Sequence, residues 1–214
     1  MRVVEIFKSI DGEGKRAGLP TTFIRLFGCN LHCSYCDTRY GCEGNDYTEM
    51  SVQEIVDKVG ELGLDSITVT GGEPLIHEDI LQLVDCLSYN GYRVNIETNG
   101  SVDLRTIPRF RKLFFTMDYK CPTSLMENKM NLDNFKYLTK KDVLKFVVGS
   151  IQDLDKAREI MMKYNPCCKV YISPVFGKIE PKEIVDFLLE NKLCQCRVQV
   201  QLHKIIWDPK ERGV

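Results

Sequence analysis

Three thiols, Cys29, Cys33 and Cys36, crowd one short run, Gly28-Cys29-Asn30-Leu31-His32-Cys33-Ser34-Tyr35-Cys36-Asp37-Thr38. Gaps of three and two residues let a loop turn all three sulfurs toward one soft metal centre. A structural zinc normally takes four protein ligands, commonly from paired Cys-x-x-Cys knuckles. No second knuckle follows at a suitable distance, although His32 or Cys42 offers a fourth donor. The spacing therefore admits two chemistries. One is a zinc ion stabilising an α/β binding module; the other is an iron–sulfur cluster with one iron left open.

Other runs carry polar groups where a ligand can be met. Thr70-Gly71-Gly72-Glu73-Pro74 joins a carboxylate to two glycines, which let backbone approach a ligand closely. Glu97-Thr98-Asn99-Gly100, Asp118-Tyr119-Lys120 and Ser173-Pro174-Val175-Phe176 each close an apolar run. A Lys beside an Asp is often a surface ion pair of little energy, but Lys120 follows a run that reads as buried. Toward the two chain ends stand Ser9-Ile10-Asp11-Gly12-Glu13-Gly14 and Gln201-Leu202-His203-Lys204.

The elements that must position these residues alternate. Apolar, β-branched runs predict buried strands at 21–27, 66–70, 93–97, 113–117, 143–148, 169–172 and 197–202. Ser51 with Glu54 three residues on predicts a capped helix, its stripe Ile55, Val56, Val59 and Leu62, its stop Gly63. A second helix is expected over 78–90 with Ile80, Leu81, Leu83, Val84 and Leu87 inward, and a third over 153–164. A fourth starts at Pro181 and ends near 191. Strand and helix in alternation imply parallel strands joined by right-handed crossovers. Too few units are visible for a closed eight-stranded barrel of roughly 250 residues. The expected fold is α/β, a partial (open) TIM-like barrel with outer helices, one domain over 1–214. Its segment 1–20 precedes the first core strand, and 197–214 form a last strand and tail. In such a fold ligands gather past the C-terminal strand ends, where the polar runs fall.

Composition excludes several roles. Acidic and basic side chains nearly cancel, 30 against 29, so neither nucleic acid nor an anionic membrane is an expected partner. No apolar run approaches the roughly 20 residues that span a bilayer. Met1-Arg2-Val3-Val4-Glu5-Ile6-Phe7 lacks the pattern of a signal peptide. The reading is a cytoplasmic chain, in which ten cysteines point to metal or catalysis before disulfides. Cys167, Cys168, Cys194 and Cys196 read as small hydrophobes.

The Cys-x-x-x-Cys-x-x-Cys loop after a strand, followed by the Gly-Gly-Glu-Pro run, resembles the radical S-adenosylmethionine superfamily. That resemblance implies that Cys29, Cys33 and Cys36 hold three irons of a [4Fe-4S] cluster. The amino and carboxylate groups of S-adenosyl-L-methionine would chelate the fourth, and its reductive cleavage would give methionine and a 5′-deoxyadenosyl radical. Gly72 and Glu73 would meet the methionine ammonium. Tyr35, Asp37, Glu97, Thr98, Asp118, Tyr119, Lys120, Ser173, Pro174, Val175 and Phe176 would complete the cofactor cleft. A reductant such as flavodoxin or ferredoxin would supply the electron.

The N-terminal Gly-Glu-Gly, the hydroxyl of Thr38 after the last cluster cysteine, and the C-terminal Gln-x-His resemble the 7-carboxy-7-deazaguanine synthases. That family contracts 6-carboxy-5,6,7,8-tetrahydropterin to 7-carboxy-7-deazaguanine with loss of ammonia, on the way to queuosine and related deazapurines. The resemblance implies Mg²⁺ at Thr38, since a hydroxyl suits a hard cation that keeps several waters. It implies that Arg25 meets the substrate carboxylate as a bidentate fork. Ile10, Asp11, Gly12, Glu13, Thr70, Gln201, His203 and the terminal carboxylate of Val214 would surround the pterin, in a homodimer. Two positions depart from the family: Asp11 stands where Gln is usual, and Asp118-Tyr119 where Ser-Pro is usual. The Asp-x-Lys also occurs in glycyl-radical activating enzymes, the alternative assignment.

Overall fold

The computed structural model describes residues 1–209 and 211–214. Among them nine strands form one sheet. These are β1 (Arg2–Ile10), β2 (Pro20–Leu26), β3 (Thr48–Glu49), β4 (Ser66–Gly71), β5 (Arg93–Thr98), β6 (Leu113–Tyr119), β7 (Val143–Val148), β8 (Lys169–Pro174) and β9 (Cys196–Val198). The order is β3-β1-β2-β4-β5-β6-β7-β8-β9. From β2 to β9 every pairing is parallel. β1 is antiparallel to both β2 and β3. The two edges, β3 and β9, do not meet, so the sheet is the open α/β array expected.

Strict alternation along the parallel strands gives the sheet two different faces. One presents Ile24, Leu26, Ile67, Val69, Val94, Ile96, Phe115, Met117, Leu144 and Phe146, all wholly buried. Each such side chain contributes roughly 1.5–3 kcal/mol on burial. The other face reads Arg25, Thr70, Glu97, Asp118 and Lys145 in neighbouring strands, and it lines a cavity. The central strands are therefore buried on both faces, one face apolar and the other largely polar.

Helices α1 (Val52–Leu62), α2 (Ile80–Tyr89), α3 (Ile151–Tyr164) and α4 (Pro181–Glu190) follow the expected segments. Ser51 Oγ accepts from Glu54 N at 3.2 Å while the Glu54 carboxylate takes Ser51 N at 2.7 Å, a reciprocal cap. Gly63 ends α1 in the left-handed region, φ 72°. Leu81, expected inward, points outward from α2 at 43% exposure. α3 starts two residues early because Ser150 caps it.

Two differences bear on the site. β1 was not among the expected strands; its Glu and Lys alternate with apolar residues, and no tight-turn signature marks the nine-residue connection to β2. The last strand is three residues long, not six. Gln199 leaves the ladder to clasp Gly14 through both N and O, at 2.7 and 2.9 Å. The chain then turns into the short α5 (His203–Ile206). Of the later cysteines, Cys121 and Cys168 lie in the core, whereas Cys167 and Cys194 are exposed.

A backbone seam joins the cysteine loop to the end of β4. Gly72 N donates to Leu26 O at 3.1 Å, and Glu73 N to Gly28 O at 2.9 Å. A Cβ on Gly71 would stand 2.0 Å from Leu26 O, and its φ of 135° is open only to glycine. Gly71→Ala is expected to lower stability by about 3 kcal/mol, which for a chain of this length lowers Tm by about 6–12 °C. A thermal melt within a degree of wild type would show that the seam relaxes freely.

Candidate active site

A cavity of about 610 Å³ opens past the C-terminal ends of the strands, and the three motif cysteines line one end of it. Leu31 N donates to Cys29 Sγ at 3.4 Å, and Asn99 Nδ2 does so at 3.7 Å. Donors of this kind stabilise thiolate. The Cys42 thiol, which donates to Thr38 O at 3.8 Å, lies close enough to Cys29 and Cys36 to draw both down to about 6, more than offsetting burial. Burial pushes Cys33 up. Among the described residues no three His, Cys, Asp or Glu side chains surround one point as a single ion requires. Three cysteines at one end of a cavity suit a cluster, in which each takes its own iron. The donor set thus fits a [4Fe-4S] cluster with open space beside it.

Of the cofactor residues expected, Tyr35, Asp37, Gly72, Glu97, Thr98, Asp118, Lys120, Val175 and Phe176 line the cavity. Four do not. Glu73 is wholly buried beneath the seam; its carboxylate accepts from Leu75 N, Thr98 Oγ1 and Asn99 N at 3.0, 2.8 and 2.6 Å. Burial pushes it up to about 7 against the pull of those donors. It holds the Gly72 turn from behind. Tyr119 has the opposite strand parity to Asp118, is 2% exposed, and donates to Glu127 at 3.0 Å within the core. Ser173 and Pro174 are buried in β8 and do not line the cavity; Ser173 pairs with the cavity-lining Val147, and its Oγ is buried without a hydrogen-bond partner among the described residues.

Asp118 sits between two ammonium groups, Lys120 at 3.1 Å and Lys145 at 3.3 Å. Although burial penalises its charge, the two lysines hold it below the usual carboxylate range. Glu97 accepts from Thr70 at 2.9 Å, and burial raises its carboxyl despite Lys145 nearby.

The residues expected at the pterin also gather here, from both ends of the chain. Ile10, Asp11, Gly12, Glu13, Arg25, Thr70, Gln201, His203 and Val214 all line the cavity. Leu202 N donates to Gly12 O at 3.0 Å, and Gln201 Nε2 reaches Glu13 Oε2 at 3.4 Å. His203 packs so closely on Gly12 that a Cβ there would stand 2.2 Å from Nδ1. Arg25 binds Glu5 through Nε at 2.6 Å, and Tyr40 shares that oxygen at 3.1 Å. Thr38 donates to Asp37 at 3.0 Å, and Lys204 ties Asp37 to α5 at 2.6 Å.

Asp11 differs from its expected role. Its backbone lines the cavity, but its carboxylate is committed beneath it, accepting from Arg16 at 2.7 Å, Thr68 at 2.8 Å and Thr21 at 3.2 Å. Arg16 in turn bonds Ile67 O and Arg93 O, bracing the bottoms of β4 and β5. Both carboxylate oxygens are thus engaged within the protein. Sequence reasoning missed Lys145, Gln199, Glu5 and Lys204. For Lys145 a signal existed: a lone charge inside Val-Leu-Lys-Phe-Val-Val on a buried strand demands a partner. Asp11→Asn should leave Arg16 buried without its counter-charge and cost about 3 kcal/mol, measured as a shift of the urea midpoint. An unshifted midpoint would show that Asp11 is not a strut.

Comparison with known proteins agrees with this geometry. Residues 23–119 match the family described as the Radical SAM superfamily. A 7-carboxy-7-deazaguanine synthase of Clostridium acetobutylicum is 51% identical over all of this chain and 99% of its own length. One from Methanospirillum hungatei is 39% identical over 98% of this chain and 86% of its own. The crystal structure of QueE from Escherichia coli shares the fold, with a TM-score of 0.71 at 22% identity, covering 94% of this chain and 93% of that one. Membership of the superfamily implies a [4Fe-4S] cluster and S-adenosyl-L-methionine, which the cysteine loop and the cavity beside it fit. The chain belongs to the 7-carboxy-7-deazaguanine synthase family of radical S-adenosylmethionine enzymes.

Proposed function

We propose that this chain is a radical S-adenosylmethionine lyase that converts 6-carboxy-5,6,7,8-tetrahydropterin to 7-carboxy-7-deazaguanine with loss of ammonia. The carrying observation is Glu13. Its Oε2 is held by Lys145 and Gln201, while its Oε1 is buried with no hydrogen-bond partner among the described residues. A buried carboxylate oxygen left open is costly unless a ligand donor meets it. The guanidine-like N–H edge of a pterin is such a donor.

When bound, the cluster and S-adenosylmethionine supply the radical that abstracts hydrogen from the substrate. The chain's own residues orient and enclose. Arg25 spends only Nε on Glu5, so its terminal N–H groups remain to grip the substrate carboxylate. Thr38 donates its proton to Asp37, which leaves the hydroxyl oxygen to accept Mg²⁺. His203, its pKa lowered by burial, is a neutral hydrogen-bonding group against the ring. Lys120 stands beside the cysteines as a fixed cation for the cofactor carboxylate. The electron donor in this reading is a flavodoxin or ferredoxin, and the working unit is a cytoplasmic homodimer. No helix among the described residues is long and apolar enough to cross a membrane.

The test is anaerobic incubation of reduced, reconstituted protein with S-adenosylmethionine, Mg²⁺ and the carboxytetrahydropterin. The deazapurine is expected; only uncoupled 5′-deoxyadenosine would end this reading. Glu13→Gln should lower kcat/KM by about tenfold to hundredfold, the worth of a charge-assisted hydrogen bond of about 1.5–3 kcal/mol. Thr38→Ala should keep its cluster but need more Mg²⁺ for half-maximal rate. An unchanged Mg²⁺ titration would remove Thr38 from the metal site.

A further inference from the structure

Lys145 lies in the middle of β7, with its side chain 10% exposed and turned into the cavity. Its ammonium is 3.3 Å from Glu13 Oε2 and 3.3 Å from Asp118 Oδ1. These carboxylates belong to distant parts of the chain. Glu13 sits in the β1–β2 connection, clamped by residues 199–203; Asp118 ends β6 beside Lys120 and the cysteine loop. A buried ammonium is costly unless it is paired, and packing alone would be met by Leu or Met at this position. The two pairings point to a role that an apolar side chain would not fill.

We propose that Lys145 is a positioning residue that sets Glu13 and Asp118 with one cation, so that the pterin wall and the cofactor wall of the cavity form together. This rests on the function proposed above for Glu13. With Glu13 Oε2 fixed by Lys145 and Gln201, Oε1 is the oxygen aimed at the ligand. With Asp118 Oδ1 fixed by Lys145, Oδ2 is aimed at Lys120, which holds that ammonium beside the cysteines. Burial alone would push the lysine down, but Asp118, Glu13 and Glu97 outweigh it and push it well up. The carboxylates around Lys145 thus favour its charged form.

The test uses the reconstituted holoenzyme with Lys145→Met and Lys145→Arg. Iron content and the visible spectrum of the cluster report whether the cysteine loop is intact. Equilibrium dialysis gives the S-adenosylmethionine Kd, and steady-state turnover gives the pterin KM. The Met variant is expected to keep its cluster while Kd and KM each rise about tenfold or more, and the Arg variant to recover most of both. A Met variant with either constant within about twofold of wild type would overturn the bridging role. If the wild type does not consume the pterin, the function reading alone fails, and the proposal is then decided by S-adenosylmethionine affinity. Were the Met variant insoluble, Lys145→Gln would be judged by the same criteria.

Discussion

Three carboxylates and two ammonium groups line the cavity, and the ion pairs among them make a polar wall tolerable there. A closed eight-stranded barrel fills its interior with layers of mostly apolar side chains. Here Glu13, Glu97, Asp118, Lys120 and Lys145 replace such a layer. Charge in a low-dielectric site is tolerated when each group finds an opposite one within hydrogen-bond reach. Asp118 takes both lysines, and Glu13 takes Lys145 from the other side. Glu97 accepts from Thr70 at 2.9 Å, and burial raises its carboxyl above the usual range. What results is a polar, pre-ordered pocket with open valences at Glu13 Oε1 and at the terminal nitrogens of Arg25.

A second constraint acts at the backbone. The cysteine loop leaves β2 and is stitched to the end of β4 through Leu26, Gly28, Gly72 and Glu73. Gly71 and Gly72 are there because no Cβ fits between the two chains. Glu73 reinforces the seam from beneath by accepting from three groups of the next two turns. A carboxylate in a ligand-binding motif is naturally read as a ligand contact. In this fold its energy goes into holding the glycine turn that makes the contact.

This explains which parts of the site were legible in the sequence. The cysteine spacing and the polar residues at strand ends were visible because chemistry dictates residue type. The open parallel sheet was visible because β-branched runs alternate with capped amphipathic helices. The direction of side chains was less so. Tyr119 and Asp118 are neighbours in sequence yet face opposite sides, a parity that could have been applied but was not. Ser173 and Pro174 lie within β8, whereas Val175 and Phe176 lie just past its end, so the strand boundary decided which reached the cavity. β1, Gln199 and Arg16 were invisible for another reason. Each acts through a contact of long sequence separation, such as Gln199 on Gly14, and no local pattern encodes such a partner.

The division of labour between chain centre and chain ends follows from those long contacts. The middle strands, β4 to β6, and the cysteine loop supply what any cluster-and-cofactor enzyme needs. Much of the rest of the cavity wall comes from 10–13 and from 201, 203, 204, 209 and 211–214, and the two ends of the chain are held together by Gly12 O with Leu202 N and by Gln199 with Gly14. Neither segment is fixed by the barrel strands alone; each is the other's template. Lys145 is the point where the two systems touch, since its ammonium reaches the terminal clamp through Glu13 and the cofactor wall through Asp118. A change at the Lys145 junction is felt on both sides.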